Sequence, residues 1–419
     1  MIRSMFTAIS SLNLHQTFLD VIADNLANSN TTGYKSSRVT FQDQFAQIMG
    51  SGAAPSATAG GINPTQIGLG VKLGYISPVF TQGMLQNTGR STDLAIQGGG
   101  FFVYESGTGE QRYSREGSLE IDSSGILVNH STGMRIQGWS VPAGGLTVDT
   151  NQPVADIQIS LDVTLAQATQ NVQFGGNLSS TTPIAPATGN TVDSTFGVYD
   201  SLGTLHTVTV QFARTGNNAW TWELTDPAAL GITGSGTLTF DNEGHYLSST
   251  MAALDPIHIP GSAGADDIDF TSINNLNLTS MTMLDAANGA SARSQDGLPA
   301  GTVSDVYGAP NTGEVYLVYS NGLKQLVGQL ALAHFTNSSG LLRAGQNLFK
   351  AGLNSGDAQI GAAGSGGRGW ISSGYLEASN VDMAQEFTHM ILAQRGFQAS
   401  SRVITTADEI LQELVNLKR

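Results

Sequence analysis

The 419-residue sequence contains no cysteine, few charged residues and no long apolar run, and each absence excludes a class of protein. Without cysteine there can be no disulfide framework, no thiolate metal site and no cysteine nucleophile. No stretch of 18 consecutive apolar residues occurs, so the sequence predicts no transmembrane helix. The first residues lack the basic start, apolar stretch and cleavage site of a secretory signal, so we expect no cleaved signal peptide.

Charged residues make up only 12% of the chain, and 33 acids against 18 bases give a net charge of −15. Such a chain would repel phosphate backbones, which argues against nucleic-acid binding. The charge is also unevenly distributed. Between residues 136 and 292 there are fourteen acids and a single base, Arg214, which indicates a separate, solvent-facing module.

This acidic stretch has the sequence pattern of β-structure. Its β-branched and aromatic residues alternate with polar ones, and Asp-x-x-Gly sequences between the runs predict tight turns. The predicted strands are 207–212, 219–224 and 237–240, and the predicted turns are 200–203 and 241–244. The module is therefore predicted to be a β domain.

The flanking segments also predict β-structure. Residues 93–103 predict a strand, a glycine turn and a second strand. Asn321-Gly322 lies between two apolar runs and predicts a hairpin with a type I′ turn. Residues 50–61 and 352–374 are rich in glycine, serine and alanine and predict loops or linkers.

Both ends of the chain predict amphipathic helices with a heptad period. On alternating three- and four-residue steps, seven of eight N-terminal and eight of ten C-terminal positions are apolar. Ser379, with Asp382 three residues later, predicts the start of the second helix. Each stripe could simply pack on a globular core, but the shared period favours pairing of the two ends, completed by neighbouring copies. The self-assembly residues predicted on this basis are Ile2, Met5, Ile9, Leu12, Leu19, Leu26, Met390, Phe397, Ile404, Leu411 and Leu414.

No motif in the sequence indicates catalysis. The seven histidines stand singly, no Gly-x-Ser-x-Gly elbow occurs, and the glycine clusters lack the lysine of a phosphate-binding loop. Asp266, Asp267 and Asp269 could hold calcium, but no complete EF-hand loop follows, which favours a solvated acidic loop. We therefore predict no enzyme activity, no cofactor, and no catalytic, cofactor-binding or metal site.

The segment that closes the first helical stretch resembles the signature of the flagellar rod and hook protein family. The matching motif residues are Ala27, Asn28, Asn30, Thr31, Gly33, Tyr34 and Lys35. Residues 374–419 resemble the C-terminal segment of that family nearly throughout, and shorter matches occur at 93–102, 319–322 and 340–347. The acidic middle, with residues 198–206, resembles the outer domain of the hook members, whereas rod members are mostly far shorter.

The resemblance implies a mainly β fold with long terminal α-helices. Two β domains would be nested by insertion, and the N- and C-terminal helices would form a coiled-coil-like inner domain. The expected division is residues 1–34 and 375–419 for a terminal helical domain forming an inner tube, 35–71 for an extended connector, 72–150 and 295–372 for an inner β domain, and 151–294 for an inserted acidic outer β domain.

The resemblance also implies a function. A hook member would be a structural subunit that self-assembles into a helical tube and acts as a flexible universal joint, transmitting motor torque to the filament. The expected partners are other copies of the chain, the distal rod, the hook cap, the hook–filament junction proteins and the flagellar type III export apparatus, with no nucleic acid and no membrane insertion. The expected location is the extracellular part of the bacterial flagellum, joined to the basal body.

Two alternative functions stay open at this point. One is a distal-rod-type protein of the same family. The other, from a different class, is a β-rich surface adhesin or fibre, which would also be acidic and rich in glycine and threonine. An adhesin needs no match between its two ends, so the paired heptad stripes favour the polymer subunit.

Overall fold

The computed structural model describes residues 2–55, 60–107, 109–142, 145, 147–225, 234–251, 275–308 and 310–416. The protein is mainly β with one long helix at each end, which confirms the predicted fold class. No helix within these ranges is both long and apolar enough to cross a membrane.

The terminal helices are α1 (Ile2–Ala27) and α2 (Met383–Asn416). The carboxylate of Asp382 caps α2, since its Oδ1 accepts the N–H groups of Ala384 at 2.9 Å and Gln385 at 3.1 Å. The predicted cap, Ser379, is wrong by three residues. The hydroxyl of Ser379 instead accepts the N–H of Val381 at 3.4 Å, within the turn before the helix.

A long β-hairpin follows α1. Its strands are β1 (Ser37–Asp43), β2 (Ala46–Gly50), β3 (Thr65–Gly68) and β4 (Val71–Pro78). Strand β1 pairs antiparallel with β4 and β2 with β3, and Ala53 bridges Ile62 near the distal end. The stretch 35–71, predicted as an extended connector, thus consists largely of this hairpin, and the glycine-rich stretch 50–61, predicted as a loop or linker, lies at its distal end; residues 56–59 lie outside the described ranges.

The next strands form the first part of a β domain. They are β5 (Leu85–Asn87), β6 (Leu94–Gln97), β7 (Phe101–Glu105), β8 (Gln111–Ser114), β9 (Leu119–Ile121), β10 (Leu127–Asn129), β11 (Arg135–Ser140) and β12 (Ala155–Asp156). As predicted for 93–103, a glycine turn separates β6 from β7. Gly98 and Gly100 have φ of 102° and 112°, which suits glycine.

The acidic stretch follows with another group of strands. They are β13 (Leu165–Gln167), β14 (Asn171–Asn177), β15 (Thr191–Tyr199), β16 (Leu205–Arg214), β17 (Ala219–Thr225), β18 (Ser235–Phe240), β19 (Tyr246–Met251), β20 (Asn275–Thr282), β21 (Ser291–Gln295) and β22 (Leu298–Gly301). Strands β16, β17 and β18 confirm the three predicted from alternation.

The chain then completes the β domains before α2. The remaining strands are β23 (Val303–Gly308), β24 (Glu314–Tyr319), β25 (Lys324–Leu330), β26 (Leu332–His334), β27 (Leu342–Gly345), β28 (Leu348–Lys350), β29 (Gln359–Gly361), β30 (Trp370–Ser373) and β31 (Tyr375–Glu377), with a short 3₁₀ turn at Ser338–Gly340. The Asn321-Gly322 hairpin between β24 and β25 is confirmed. Its turn is not type I′, because only Gly322 has a positive φ, of 89°.

The chain divides into two compact units. The first comprises residues 1–159, 306–316 and 326–419, and the second comprises 160–305 and 317–325. The helices thus cluster with the first β domain rather than forming a unit of their own, and 295–305 belong to the second unit instead of the inner domain expected from the sequence. We take the second unit to be the proposed inserted module.

In the first unit, β11, β7, β8, β28 and β27 lie side by side, and β26 joins β7 to β29. Short pairs, β6 with β30 and β5 with β31, bring the two separated chain segments together. Its core is aromatic: the rings of Phe101 and Phe335 meet edge to face, and the ring of Phe349 is tilted against that of Phe101, with centroids 6.0 Å apart in both pairs. Residues 352–374, predicted as a loop or linker, are loop between 352 and 358 and between 362 and 369, but they also supply β29 and β30 to the β domain; Ile371, for example, is fully buried.

The second unit packs two sheets face to face. Strands β15 to β19 form an antiparallel meander, and β14 lies between a parallel β20 and an antiparallel β21. Trp220, Trp222, Phe174 and Phe212 fill the space between the sheets. The two predicted turns hold: Gly203 and Gly244 each have a φ of 83°, which glycine adopts without strain.

Candidate assembly surface and the cluster that anchors it

The two terminal helices pack against each other in antiparallel directions. The hydroxyls of Ser11 and Ser400 lie 3.0 Å apart, and the Nδ2 of Asn25 donates to the Oε1 of Glu386 at 3.1 Å. Residue numbers therefore rise along α1 as they fall along α2. A β-carbon on Gly396 would lie 2.5 Å from the ring of His15, so this glycine permits a close approach of the helices.

The C-terminal heptad stripe is the less exposed side of α2. Ala393, Ser400 and Ala407 are buried, and four of the predicted residues that alternate with them along the stripe are half-buried. Those half-buried residues are Met390, Phe397, Ile404 and Leu411. Leu414, at the far end, is 48% exposed.

On α1 the interface lies one residue before the predicted stripe. The predicted residues Met5, Leu12, Leu19 and Leu26 are half-buried at its margin, Ile9 is 41% exposed, and the side chain of Ile2 lies outside the described part of the chain. The residues that face α2 or are buried beside it are Ala8, Ser11, His15, Phe18, Ile22 and Asn25. Within the single chain, the residues that pack on α2 thus lie one position before the predicted stripe, and the role of the predicted residues in self-assembly stays a prediction.

The physical reason for the shift is that α1 has two neighbours. Besides α2, the hairpin packs on it: the ring of Phe41 on β1 lies 5.7 Å from that of Phe18 and 6.2 Å from that of His15, both edge-on. Small or polar residues such as Ser11 then face α2. A heptad count of apolar residues cannot separate these two contacts.

The family-motif segment turns the chain from α1 into the hairpin. After Ala27, the N–H of Asn28 donates to the carbonyl of Asp24 at 3.1 Å, and the Thr31 hydroxyl donates to the Oδ1 of Asn28 at 3.2 Å. Asn30 is exposed.

Gly33 then brings this segment against the first β domain. It has a φ of 69°, and its N–H donates to the carbonyl of Glu377 at 2.7 Å. A β-carbon there would lie 2.7 Å from the backbone nitrogen of Glu116, so only glycine fits.

Lys35 anchors the segment through a buried ionic cluster, which we define as Lys35, Glu377 and Arg115. The Nζ of Lys35 lies 2.6 Å from Oε1 of Glu377, and Nη1 of Arg115 lies 3.3 Å from Oε2. The Lys35 ammonium also donates to the carbonyl of Thr81 at 2.7 Å, and the N–H of Gly83 donates to Glu377 Oε1 at 2.8 Å. The cluster thus joins the end of α1, the β domain and the approach to α2.

Burial lowers the pKa of both cationic side chains in the cluster. Loss of hydration lowers the pKa of Lys35, and the nearby Glu377 carboxylate opposes this effect. Burial likewise lowers the pKa of Arg115, again opposed by Glu377. The side chains of Lys35 and Glu377 are fully buried, so each charge depends on its partner rather than on water.

A second contact group surrounds Tyr34. Its hydroxyl donates to Asp24 Oδ2 at 2.9 Å, and the guanidinium of Arg343 stacks over its ring at 5.0 Å. Arg343 also donates to the carbonyl of Lys35, and Asn347 donates to that of Thr32 at 2.9 Å. Burial raises the pKa of the Tyr34 phenol, partly offset by Arg343. The motif is thus held by Asp24 on α1 and by Arg343 and Asn347 of the β domain.

Large apolar side chains are exposed along α2. Together with Phe6 on α1, which is 66% exposed, these side chains make up the set that we call the helix apolar surface. Its α2 members are Met383, Phe387, Ile391, Leu392, Val403, Ile410, Leu414 and Val415. Monomeric proteins seldom expose so many large apolar side chains on one element, which indicates an interaction surface.

The hairpin carries a second such surface, which we call the hairpin apolar surface. Phe45 and Ile48 are 71% and 62% exposed. The members are Phe41, Phe45, Ile48, Met49, Ile62, Ile67, Leu69, Leu73, Tyr75 and Ile76. The terminal helices and the hairpin therefore expose apolar side chains, and these surfaces are suited to association with other protein molecules.

Within the described ranges, no group of three or more histidine or acidic residues is arranged to hold a metal ion. The candidate calcium group, Asp266, Asp267 and Asp269, lies outside those ranges. The sequence did not identify Arg115, Glu377 or Arg343 as site residues. Charged residues are rare in this chain, at 12%. A charged residue next to a family motif could therefore have been proposed as a site residue from the sequence.

Four family profiles match the sequence. Residues 5–35 match the flagella basal body rod protein, 95–177 the flagellar hook protein FlgE/F/G D1 domain, 168–298 the flagellar basal body protein FlaE D2 domain, and 372–417 the flagellar basal body rod FlgEFG protein C-terminal region. The matches cover both helices and both β domains.

Full-length relatives agree with these matches. The chain is 37% identical over 465 residues to the flagellar hook protein FlgE of Treponema pallidum, covering all of both chains. It is 37% identical over 428 residues to FlgE of Salmonella typhimurium, covering 99% of this chain and 100% of that one. It is 31% identical over 420 residues to the flagellar basal-body rod protein FlgG of Bacillus subtilis, covering all of both chains. Since the hook relatives exceed the rod relative in identity over the whole length, the chain belongs to the flagellar hook protein family.

Proposed function

We propose that the chain is a structural subunit of the bacterial flagellar hook, which polymerises into a helical tube and passes motor torque to the filament. The observation that carries this proposal is the exposure of the helix and hairpin apolar surfaces in the single chain. Other copies of the chain are the occupants that would cover them. The self-assembly residues predicted from the sequence and the helix apolar surface would then belong to the same tube.

Magnitudes support a polymer rather than an isolated dimer. Covering a half-exposed Leu, Ile or Phe contributes about 1 kcal/mol, so the nine helix residues contribute on the order of 10 kcal/mol. Association itself costs about 4–15 kcal/mol in lost freedom of motion. One contact between two copies is therefore marginal, and several contacts per subunit make the tube stable.

The flexible joint follows from the polar composition of the β domains. Uncharged Ser, Thr, Asn and Gln are expected to supply most of their polar surface, because charged residues are only 12% of the chain. Hydrated contacts between such surfaces can exchange hydrogen-bond partners at little cost, whereas dry packed contacts switch between discrete states. Neighbouring subunits can then shift against one another as the tube bends.

The proposed partners and location extend the same function. The tube would join the distal rod, the hook cap and the hook–filament junction proteins, outside the cell, after passage through the flagellar type III export apparatus. We assign the chain no enzymatic role. A distal-rod-type subunit is disfavoured because the relatives named as hook proteins are more similar.

Electron microscopy of the purified, concentrated full-length protein tests this function. We expect hollow tubes, and we expect a double variant, Ile391→Asp with Leu392→Asp, to stay monomeric because two charges enter the helix apolar surface. The matched control is Leu247→Asp, which places a charge at a 65% exposed leucine on β19 of the second unit. Dispersed particles of fixed size from the unaltered chain under all conditions would instead support an adhesin or fibre.

A further inference from the structure

The second unit contains a groove of about 560 Å³ whose lining residues belong to neither the helix nor the hairpin apolar surface. Strands β14, β20 and β21 and the edge of β19 line it, mainly with uncharged polar side chains. The volume lies within the range of small-molecule sites. Four of its side chains are held in defined orientations, and these determine which ligand it fits.

Asp296 supplies a fixed acceptor. Its Oδ1 accepts the N–H groups of Gln170 at 2.8 Å and Asn171 at 2.9 Å, and its Oδ2 accepts the side-chain amide of Asn171 at 2.7 Å. Burial raises the pKa of this carboxyl, but the hydrogen bonds together lower it further, so it is ionised at neutral pH. Oδ1 accepts two hydrogen bonds already, whereas Oδ2 accepts one and keeps a lone pair for a ligand hydroxyl.

Asn277 and Gln295 supply fixed donors. The Oδ1 of Asn277 accepts the N–H of Thr279 at 3.0 Å and its hydroxyl at 2.6 Å. The Oε1 of Gln295 accepts the hydroxyl of the fully buried Thr169 at 2.8 Å. With each oxygen held in this way, each NH₂ group is left for a ligand. Neither group donates to another residue in the described part of the chain.

Tyr246 supplies an aromatic ring at the rim. Its hydroxyl lies 2.8 Å from that of Ser249, which fixes the ring, and the ring is half-buried against the core of the unit. The face of a tyrosine ring is electron-rich and attracts the polarised C–H bonds of a sugar ring.

Charge decides between ligand classes. The groove lining contains a carboxylate and no cationic side chain, and the second unit as a whole carries fourteen acids against three bases. Phosphate, sulfate and uronate groups would be repelled. Vicinal hydroxyls, in contrast, both donate and accept, which matches a carboxylate beside two amide donors. We propose that this groove binds an uncharged saccharide chain.

The test is titration of the full-length protein with maltohexaose, the hexamer of N-acetylglucosamine, and polygalacturonate, followed by saturation-transfer NMR and calorimetry. We expect at least one of the two neutral oligomers to bind with a Kd of about 1 mM or tighter, and polygalacturonate not to bind. The proposal is overturned if neither neutral oligomer binds at about 10 mM, or if polygalacturonate binds as tightly.

Variants locate the binding. The pair Asn277→Asp with Gln295→Glu keeps the oxygens that accept from Thr279 and Thr169 but removes both donors, and should weaken binding at least about tenfold. Tyr246→Leu, which adds no charge, should weaken it comparably. The control Asn242→Asp makes the same amide-to-acid change at an exposed turn outside the groove and should have no effect. Unchanged affinity in both groove variants would refute the site.

Discussion

The imidazole ring of His15 on α1 lies against the backbone of α2 at Gly396, where a β-carbon would come within 2.5 Å of its Cε1 and Nε2. Glycine inside a helix costs about 1 kcal/mol relative to alanine. The close approach of the two helices at this position is thus made possible by a residue that lowers the intrinsic stability of α2.

Gly396→Leu should separate the helices. The added side chain overlaps the His15 ring, and overpacking of this kind costs about 1–3 kcal/mol. We expect faster amide exchange along α1, measured by mass spectrometry, and fewer tubes by electron microscopy. Ala399→Leu, at an exposed position of the same helix, is the control; equal exchange in both variants would show that the contact is unimportant.

Glu377→Gln should destabilise the protein more than Lys35→Met. The first change leaves two buried cations without an anion and should cost about 3–5 kcal/mol, whereas the second leaves Glu377 paired with Arg115. Calorimetric melting measures both. The control is Glu120→Gln in the exposed pair with Arg90, which should barely alter the melting temperature. The reverse order of effects would mean that the cluster is not held by Glu377.

Gly33→Ala should cost about 2–5 kcal/mol, since it combines left-handed backbone strain with a collision against the nitrogen of Glu116. Gly374→Ala separates the two effects. Gly374 has a φ of 80° but open space around it, so only the strain of about 1–2 kcal/mol applies. Urea denaturation of both variants gives the difference, and identical losses would rule out the collision.

Asp200→Asn should make the second unit less stable at neutral pH but not at low pH. Burial raises the pKa of Asp200, while hydrogen bonds from His206 and the N–H groups of Thr204 and Leu202 together lower it below its ordinary value. Because the folded-state pKa is depressed, the stabilisation is present above the ordinary aspartate range and is lost as pH falls through the folded-state value.

Urea denaturation followed by tryptophan fluorescence measures this dependence, since Trp220 and Trp222 lie in the core of the same unit. We expect a loss of about 1–3 kcal/mol at pH 7 in the Asp200→Asn variant. The curves of the variant and the unaltered protein should converge at pH values below the folded-state pKa. If the difference in unfolding free energy stays constant across pH, the variant loses stability through altered packing at residue 200 and not through loss of the carboxylate charge.

The sequence predicted those elements whose signal is local. The strands of the acidic module follow from alternation, and the Asp-x-x-Gly turns follow from side-chain chemistry: the Oδ1 of Asp241 accepts the N–H groups of Glu243 and His245, as Asp200 does in its own turn. The α2 stripe follows from its heptads because α2 has α1 as one continuous partner.

Features that depend on contacts between residues far apart in the chain could not be predicted from the sequence. The α1 register depends on the hairpin that also packs against it, through Phe41. Glycine composition could not distinguish a linker from residues 352–374, where glycines permit close strand packing. The buried cluster joins residues 342 positions apart in the chain, and no spacing rule connects Lys35 with Glu377.

The position of Glu377 in the chain has a consequence for when the protein can fold. A polypeptide that emerges with its N-terminus first presents Lys35 and Arg115 long before it presents Glu377, which is the shared anion of both. Burying two unpaired cations is strongly unfavourable, so the junction between α1 and the first β domain cannot close until residue 377 of 419 is available. A chain that has not yet presented Glu377 therefore cannot complete the packing of this junction.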